Sequence, residues 1–182
     1  ASQLEGSKIF TKKMCEKYNI PTAKFGIFKN FQSSIDFLKN SIFPIVIKAD
    51  GLASGKGVYI SENINQGTRA VKEIFDGKFG EPEQILIEEF LDGDEMSYFI
   101  ISDGKSYKKF QTAQDHKRVF EGDMGKNTGG MGAYSPSKLI NENLDDKIIK
   151  KIIEPTLKGL KELGVSYQAF LYAGLLILNY DP

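Results

Sequence analysis

Residues 45–58 read Ile45-Val46-Ile47-Lys48-Ala49-Asp50-Gly51-Leu52-Ala53-Ser54-Gly55-Lys56-Gly57-Val58. A lysine stands inside an apolar strand, and a glycine-rich turn carrying a second lysine follows at once. A buried lysine is costly without a partner. Lys48 and Lys56 together therefore point to a ligand that brings negative charge, and a polyphosphate is the natural one. Alone, Lys56 would read as an ordinary solvated loop lysine. The spacing is not that of a P-loop: Gly57, not Ser or Thr, follows Lys56, so no hydroxyl stands where the metal ion would want one. The dinucleotide fingerprint fails as well, because Ile60 occupies the place of its third glycine. Val58-Tyr59-Ile60 reads as a strand. The unit is strand, glycine loop, strand: a hairpin that can fold over a nucleotide as a flap.

The 182 residues suffice for one ordinary domain or two small lobes. The formal net charge is zero, so nothing in the balance calls for nucleic acid. The one cysteine, Cys15, excludes an internal disulfide and fits a reducing compartment. No signal peptide and no membrane-length apolar run is visible. These readings lead to the expectation of a cytoplasmic protein with neither nucleic acid nor membrane as partner.

Working outward, Ser7 caps a helix over Lys8–Tyr18, with Phe10, Met14 and Tyr18 on one face and Pro21 beyond its end. Ala23–Phe28 reads as a strand. Phe31, Ile35, Leu38 and Ile42 mark a second helix stopped before Pro44. Asn63 caps a third, with Gln66 at the capping-box position. Gln84–Phe90 and Glu95–Ser102 are strands joined by a hinge at Leu91–Asp94. Asp103-Gly104 signals a hairpin into a strand near Ser106–Thr112. Ala113–Lys138 shows little periodicity and many glycines, and reads as a long functional loop. Asn141–Leu163 is helical, kinked or restarted at Pro155, with Gly164 at C′. Tyr167–Leu178 is an apolar strand, which would be an aggregation hazard if left unpaired. Asn179–Pro182 are turn residues with no return strand after them, and no strand precedes the first helix. The chain therefore reads as an internal piece of a larger protein.

Three further clusters can carry chemistry. If the strands Ile45–Ala49 and Gln84–Phe90 are neighbours, Lys48 can meet a glutamate across them. Glu88 to Leu91, followed by Gly93 and Glu95, suits a nucleotide hinge, although acids at a strand end are also ordinary solvated groups. Gln114-Asp115-His116-Lys117-Arg118 gathers an acid, the lone histidine and two bases, which suits an anionic substrate better than proton transfer. Asn127-Thr128-Gly129-Gly130-Met131-Gly132 brings backbone N–H groups close to an anion, or is merely a flexible turn.

Taken in order, LEGSK (4–8), residues 45–58, IEEFLDGDE (87–95), QDHKR (114–118), NTGGMGAYSP (127–136) and FLYAGLL (170–176) resemble the phosphoribosylamine–glycine ligases of the ATP-grasp superfamily. The resemblance implies an α+β, ATP-grasp fold of two lobes with mixed or antiparallel sheets, cut before its metal-binding strand. It implies a connecting helix (1–20) belonging to the larger lobe, a small lobe (21–92) carrying the glycine flap, and the larger lobe itself (93–182), with ATP between. The implied reaction joins glycine to 5-phosphoribosylamine through a glycyl phosphate, in purine synthesis. Carried over, Lys8, Lys48, Gly55, Lys56 and Gly57 would hold the ATP phosphates, and Glu88, Phe90, Leu91 and Glu95 the adenine and ribose. Asp115, His116, Lys117, Arg118, Asn127, Thr128, Gly129 and Gly130 would face the two substrates. Lys48, Lys56 and Arg118 would act in the chemistry itself. Lys126 departs from the proline common before Asn-Thr-Gly-Gly in the family. Magnesium ligands are expected beyond Pro182, and so are further domains at both ends. The piece alone is therefore expected to be inactive. Another ATP-grasp carboxylate–amine ligase would keep Lys48, Lys56 and the hinge but not QDHKR and NTGGMG, whereas a non-catalytic nucleotide-binding module would lack a downstream Glu and Asn to bind the metal.

Overall fold

The computed structural model describes residues 2–51, 57–80, 83–122 and 124–178, with Arg118, residues 124–127 and Gly129 described as backbone alone. The chain divides into two compact units, Ala1–Leu91 and Asp92–Pro182.

The first unit is a four-stranded antiparallel sheet in the order β1-β4-β2-β3. Its strands are β1 (Phe25–Phe28), β2 (Ile45–Ala49), β3 (Val58–Ser61) and β4 (Ile85–Glu89). Alternation splits β2 and β4 into two faces. Ile45, Ile47, Ala49, Ile85 and Ile87 pack with Leu38 of α3 (Phe31–Lys39) and with Ala70, Val71 and Ile74 of α4 (Ile64–Phe75). The fully buried residues of this core are aliphatic, with Phe28, Phe43, Tyr59, Phe75 and Phe79 packed around them. The other face presents Val46, Lys48, Leu86 and Glu88, and α2 (Lys8–Lys17) approaches it, burying Ile9 and Met14. A short α1 (Gln3–Gly6) precedes α2.

Side chains set the helix starts, at Ser7 and Asn63 as expected and at Asn30 and Asn141 as well. Ser7, Asn30, Asn63 and Asn141 each accept the N–H of the residue three positions on, the pattern that satisfies an orphan donor of the first turn. Gln66 reaches back to the N–H of Glu62, one residue before the cap. The expectation for Ile42 fails. The helix closes at Lys39, where Asn40 and Ser41 turn their N–H groups onto Phe37 and Leu38, leaving Ile42 91% exposed.

The second unit is built on a three-stranded sheet in the order β6-β5-β9. Its strands are β5 (Asp94–Ser102), β6 (Tyr107–Lys109) and β9 (Phe170–Ile177). β9 pairs with β5 from Asp94↔Ile177 to Ile101↔Phe170, so the final strand is partnered along its length. The Asp103-Gly104 turn forms as expected: Asp103 Oδ1 accepts the N–H groups of Lys105 and Ser106, and Gly104 takes φ +87°. Gly93, just before β5, allows a close approach, since a Cβ there would lie 2.9 Å from the Ile177 carbonyl oxygen.

The region read as a long loop is instead a hairpin of β7 (Gln114–Phe120) and β8 (Met124–Tyr134), with register shifts around Arg118. Ala113 exchanges both backbone hydrogen bonds with Ser97, which ties the hairpin to the edge of β5. No alternation of apolar residues announces these strands, because what holds them is backbone pairing and not an oily face.

The helical segment is α5 (Glu142–Ile148), a π turn (Ile149–Ile153) and α6 (Glu154–Glu162). Pro155 lacks an N–H, and the turn before it widens until the Glu154 N–H reaches Ile149 O, five residues back. The restart expected at Pro155 is thus achieved without a break in the helix. At the C-terminal end the Gly164 N–H bonds Lys161 O and the Val165 N–H bonds Leu160 O, a Schellman closure with Gly164 at φ +78°. Among the described residues no helix is long and apolar enough to cross a membrane.

Residues 2–20 are counted into the first unit. The physical reason is a set of ties from α2 to β2 and β4, described next.

Candidate functional site

The polar face of β2 and β4 holds the first cluster. Val46 is paired with Glu88 and Lys48 with Leu86, so Lys48 and Glu88 are diagonal neighbours on one face. Their side chains form an ion pair, Lys48 Nζ with Glu88 Oε1. This is the meeting of lysine and glutamate that the alternation predicted. Glu88 is only 4% exposed. Its second oxygen, Oε2, lies 2.5 Å from Lys12 Nζ, a charge contact without a well-aligned hydrogen bond.

Lys12 was not foreseen. It reaches from α2, where Lys8 and Lys12 stand one turn apart and so share a side of the helix. That spacing, facing a strand whose buried glutamate lacked a second partner, was the available signal. Lys12 also donates to Thr22 Oγ1 at 2.6 Å and lies 5.5 Å from the centre of the Phe25 ring.

Asp50, at the foot of the glycine loop, locks α2 to the sheet. Its carboxylate accepts Ser7 Oγ at 2.9 Å and the Ile9 N–H at 3.1 Å. Lys8 Nζ donates to Ala49 O at 3.1 Å and to Gly51 O at 2.6 Å. Burial pulls the Lys8 ammonium below the ordinary lysine range; Asp50 opposes the fall and nearby Lys48 adds to it. Gly57, the far foot of the loop, is buried and accepts the Ala49 N–H at 2.8 Å. Gly55 and Lys56 lie outside the described residues. Phe90 and Leu91 follow the end of β4, both half-buried.

The second unit has its own cluster. Glu95, Asp115 and Lys117 line a cavity of about 210 Å³ together with Ser97, Tyr172 and Leu176. Lys117 Nζ donates to Glu95 Oε2 at 2.6 Å and lies 3.9 Å from Asp115 Oδ2. Burial works to lower the Lys117 ammonium, but the Glu95 hydrogen bond and the charges of Glu95 and Asp115 carry it above its ordinary value. Alternation along β7 places His116 on the opposite side, exposed and 5.8 Å from the Tyr134 ring. The five residues 114–118 are therefore one motif in sequence but two faces in space. Thr128 Oγ1 accepts the Gly130 N–H and donates to Lys117 O. Arg118 and Asn127 are opposite one another in the hairpin register, and Gly129 follows on the same strand. Among the described residues no group of three His, Cys, Asp or Glu side chains could hold a metal ion.

A β-sheet lobe that places Lys48 beside a buried glutamate, followed by a second lobe on a helical and antiparallel framework, is the ATP-grasp class. The biotin carboxylase domain of the Hydrogenobacter thermophilus 2-oxoglutarate carboxylase shares this fold, with a TM-score of 0.74 at 17% identity over 99% of this chain and 38% of that one. The chain belongs to the family described as phosphoribosylglycinamide synthetase, ATP-grasp (A) domain, which matches residues 6–182. It is 46% identical to the phosphoribosylamine–glycine ligase of Mesorhizobium japonicum over 100% of this chain and 43% of that protein. It is likewise 46% identical to the chloroplastic enzyme of Arabidopsis thaliana, over 97% of this chain and 34% of the relative. The crystal structure of the Thermotoga maritima phosphoribosylamine–glycine ligase superposes with a TM-score of 0.90 at 35% identity, covering all of this chain and 46% of that one. The chain thus spans less than half the length of these relatives.

Proposed function

We propose that this chain is the ATP-binding portion of a ligase that joins glycine to 5-phosphoribosylamine through a glycyl phosphate. The observation that supports it most directly is the polar face of the first sheet. Lys48, paired with a buried glutamate, stands beside Lys8 at the base of a glycine loop. Positive charge gathered beside such a loop suits a polyphosphate. It offsets the charge that builds as a γ-phosphoryl group moves to the glycine carboxylate. The amine of phosphoribosylamine then displaces phosphate from the acyl phosphate and forms the amide.

In this reading Lys8 and Lys48 face the phosphates with Gly57, and Gly55 and Lys56 complete the loop. Glu88, Phe90 and Leu91 border the base, and Glu95 the ribose. Asp115, His116, Lys117, Arg118, Asn127, Thr128, Gly129 and Gly130 serve the substrates, with Arg118 acting in the chemistry. Glu95 and Lys117 share one cavity, so ribose and substrate contacts would be coupled through that ion pair. The family implies magnesium, but the described residues do not supply a ligand set for it, so no step is assigned to the metal here.

Calorimetry with MgATP tests the phosphate site. Lys48→Ala removes one charge-assisted contact and is expected to weaken binding by about tenfold to a hundredfold. Equal affinity for the two proteins would overturn the assignment of Lys48.

A further inference from the structure

We infer that Lys12 is the standing counter-ion of Glu88, the group that frees Lys48 to turn toward an incoming phosphate. The inference rests on the phosphate reading above and adds a positioning residue to it. Glu88 is one buried carboxylate with two ammonium partners, one on each oxygen. A single cation would make the pair neutral. The second leaves surplus positive charge on a largely buried face, which is unfavourable unless an anion is due to arrive.

The two lysines are not equivalent. Lys12 has a side chain only 12% exposed, lies in charge contact with Glu88 Oε2, and donates hydrogen bonds to Thr22 Oγ1 at 2.6 Å and Ala23 O at 3.4 Å. It is carried by α2, which Ser7 and Asp50 fasten to the sheet. Lys48 is 25% exposed and comes from a different element, β2. Among the described residues its ammonium has Glu88 as its side-chain partner. Were Lys48 the sole partner, drawing it to a phosphate would strand a carboxylate in the interior, and removing one member of a buried pair is strongly unfavourable. With Lys12 in place, Lys48 can leave Oε1 while Oε2 keeps its cation. The lysine on the helix thereby sets the affinity of the lysine on the strand without touching the ligand.

A purely structural Lys12, a strut between α2 and the sheet, would affect stability alone. Calorimetry with MgATP separates the two roles. Lys12→Met keeps the length of the stem and removes the charge, and is expected to weaken binding at least tenfold. Lys12→Arg should restore it to within about threefold of wild type. In a Glu88→Gln background there is no anion left to neutralise, and Lys12→Met should then change affinity by less than threefold. Wild-type affinity in Lys12→Met, or the same loss in both backgrounds, overturns the inference and leaves the phosphate reading intact. Failure of the wild type itself to bind, or indifference to Lys48→Ala, overturns the phosphate reading. A measurement on the wild-type chain avoids any variant that does not fold. Nitrogen-15 NMR of the lysine ammonium groups, assigned through Lys12→Arg and Lys48→Arg, should show the Lys48 signal moving on addition of MgATP while that of Lys12 stays. Movement of Lys12 with Lys48 unmoved would overturn it.

Discussion

Each unit holds an ion cluster of lysines and carboxylates, and the two clusters obey different physics. In the first unit one carboxylate, 5% exposed at its side chain, lies between two lysines held by a helix and a strand. In the second, Lys117 lies between Glu95 and Asp115 with side chains 39%, 45% and 33% exposed, on a hairpin and on β5. Water screens the second cluster and is kept from the first. Losing a partner should therefore be severe in one place and mild in the other. The lesson is that residue type alone does not rank these sites; the packing under them does.

The sharpest way to break the comparison is Glu88→Ala. It leaves two lysines facing each other on a largely buried face and should cost about 3–5 kcal/mol, read as a lowered urea midpoint of the first unit. A loss under about 1 kcal/mol would mean that water reaches Glu88 freely.

Tyr98 tests whether the second unit has a buried polar group of its own. Its ring is fully buried and its hydroxyl donates to Asp145 Oδ1 at 2.7 Å, while Lys109 pairs with the other oxygen. Burial, then the hydrogen bond to Asp145, raise the phenol well above its ordinary value of 10.0. The folded state holds that proton more tightly than the unfolded one, so the associated stability is full below pH 10 and falls as pH rises beyond it. Tyr98→Phe should cost about 1–2 kcal/mol at pH 7. It should also flatten the decline in urea midpoint measured between pH 9 and 11.

The smallest effect is expected at Glu95→Gln, a change of about 1 kcal/mol or less that shrinks further at high salt. A loss matching that of Glu88→Ala would erase the distinction between the clusters.

Much of the first unit is legible in five letters. Ile45, Ile47 and Ala49 against Val46 and Lys48 state which face is oily and which is polar, and pairing with β4 then decides who meets Lys48. Lys12 was harder to see, because its partner lies 76 positions away and only the docking of α2 brings them together. The β7–β8 hairpin escaped for a different reason. Its residues alternate without a hydrophobic side, so nothing in composition separates such a ladder from a loop. The motif at 114–118 was legible as chemistry but not as geometry, since a period of two divides it between opposite faces.

The feet of the glycine loop carry a last consequence. Asp50 is fastened to α2, and Gly57 is bonded back to Ala49. The gap between the loop's ends is therefore set by the sheet, whatever lies between. For a chain tethered at both ends, doubling the intervening length costs only about 0.6 kcal/mol in closure entropy. The described anchors at the two ends are Asp50 on α2 and Gly57 on Ala49, and lengthening the stretch between them is expected to cost folding little. Inserting two residues there should leave the urea midpoint almost unmoved while changing the affinity for MgATP.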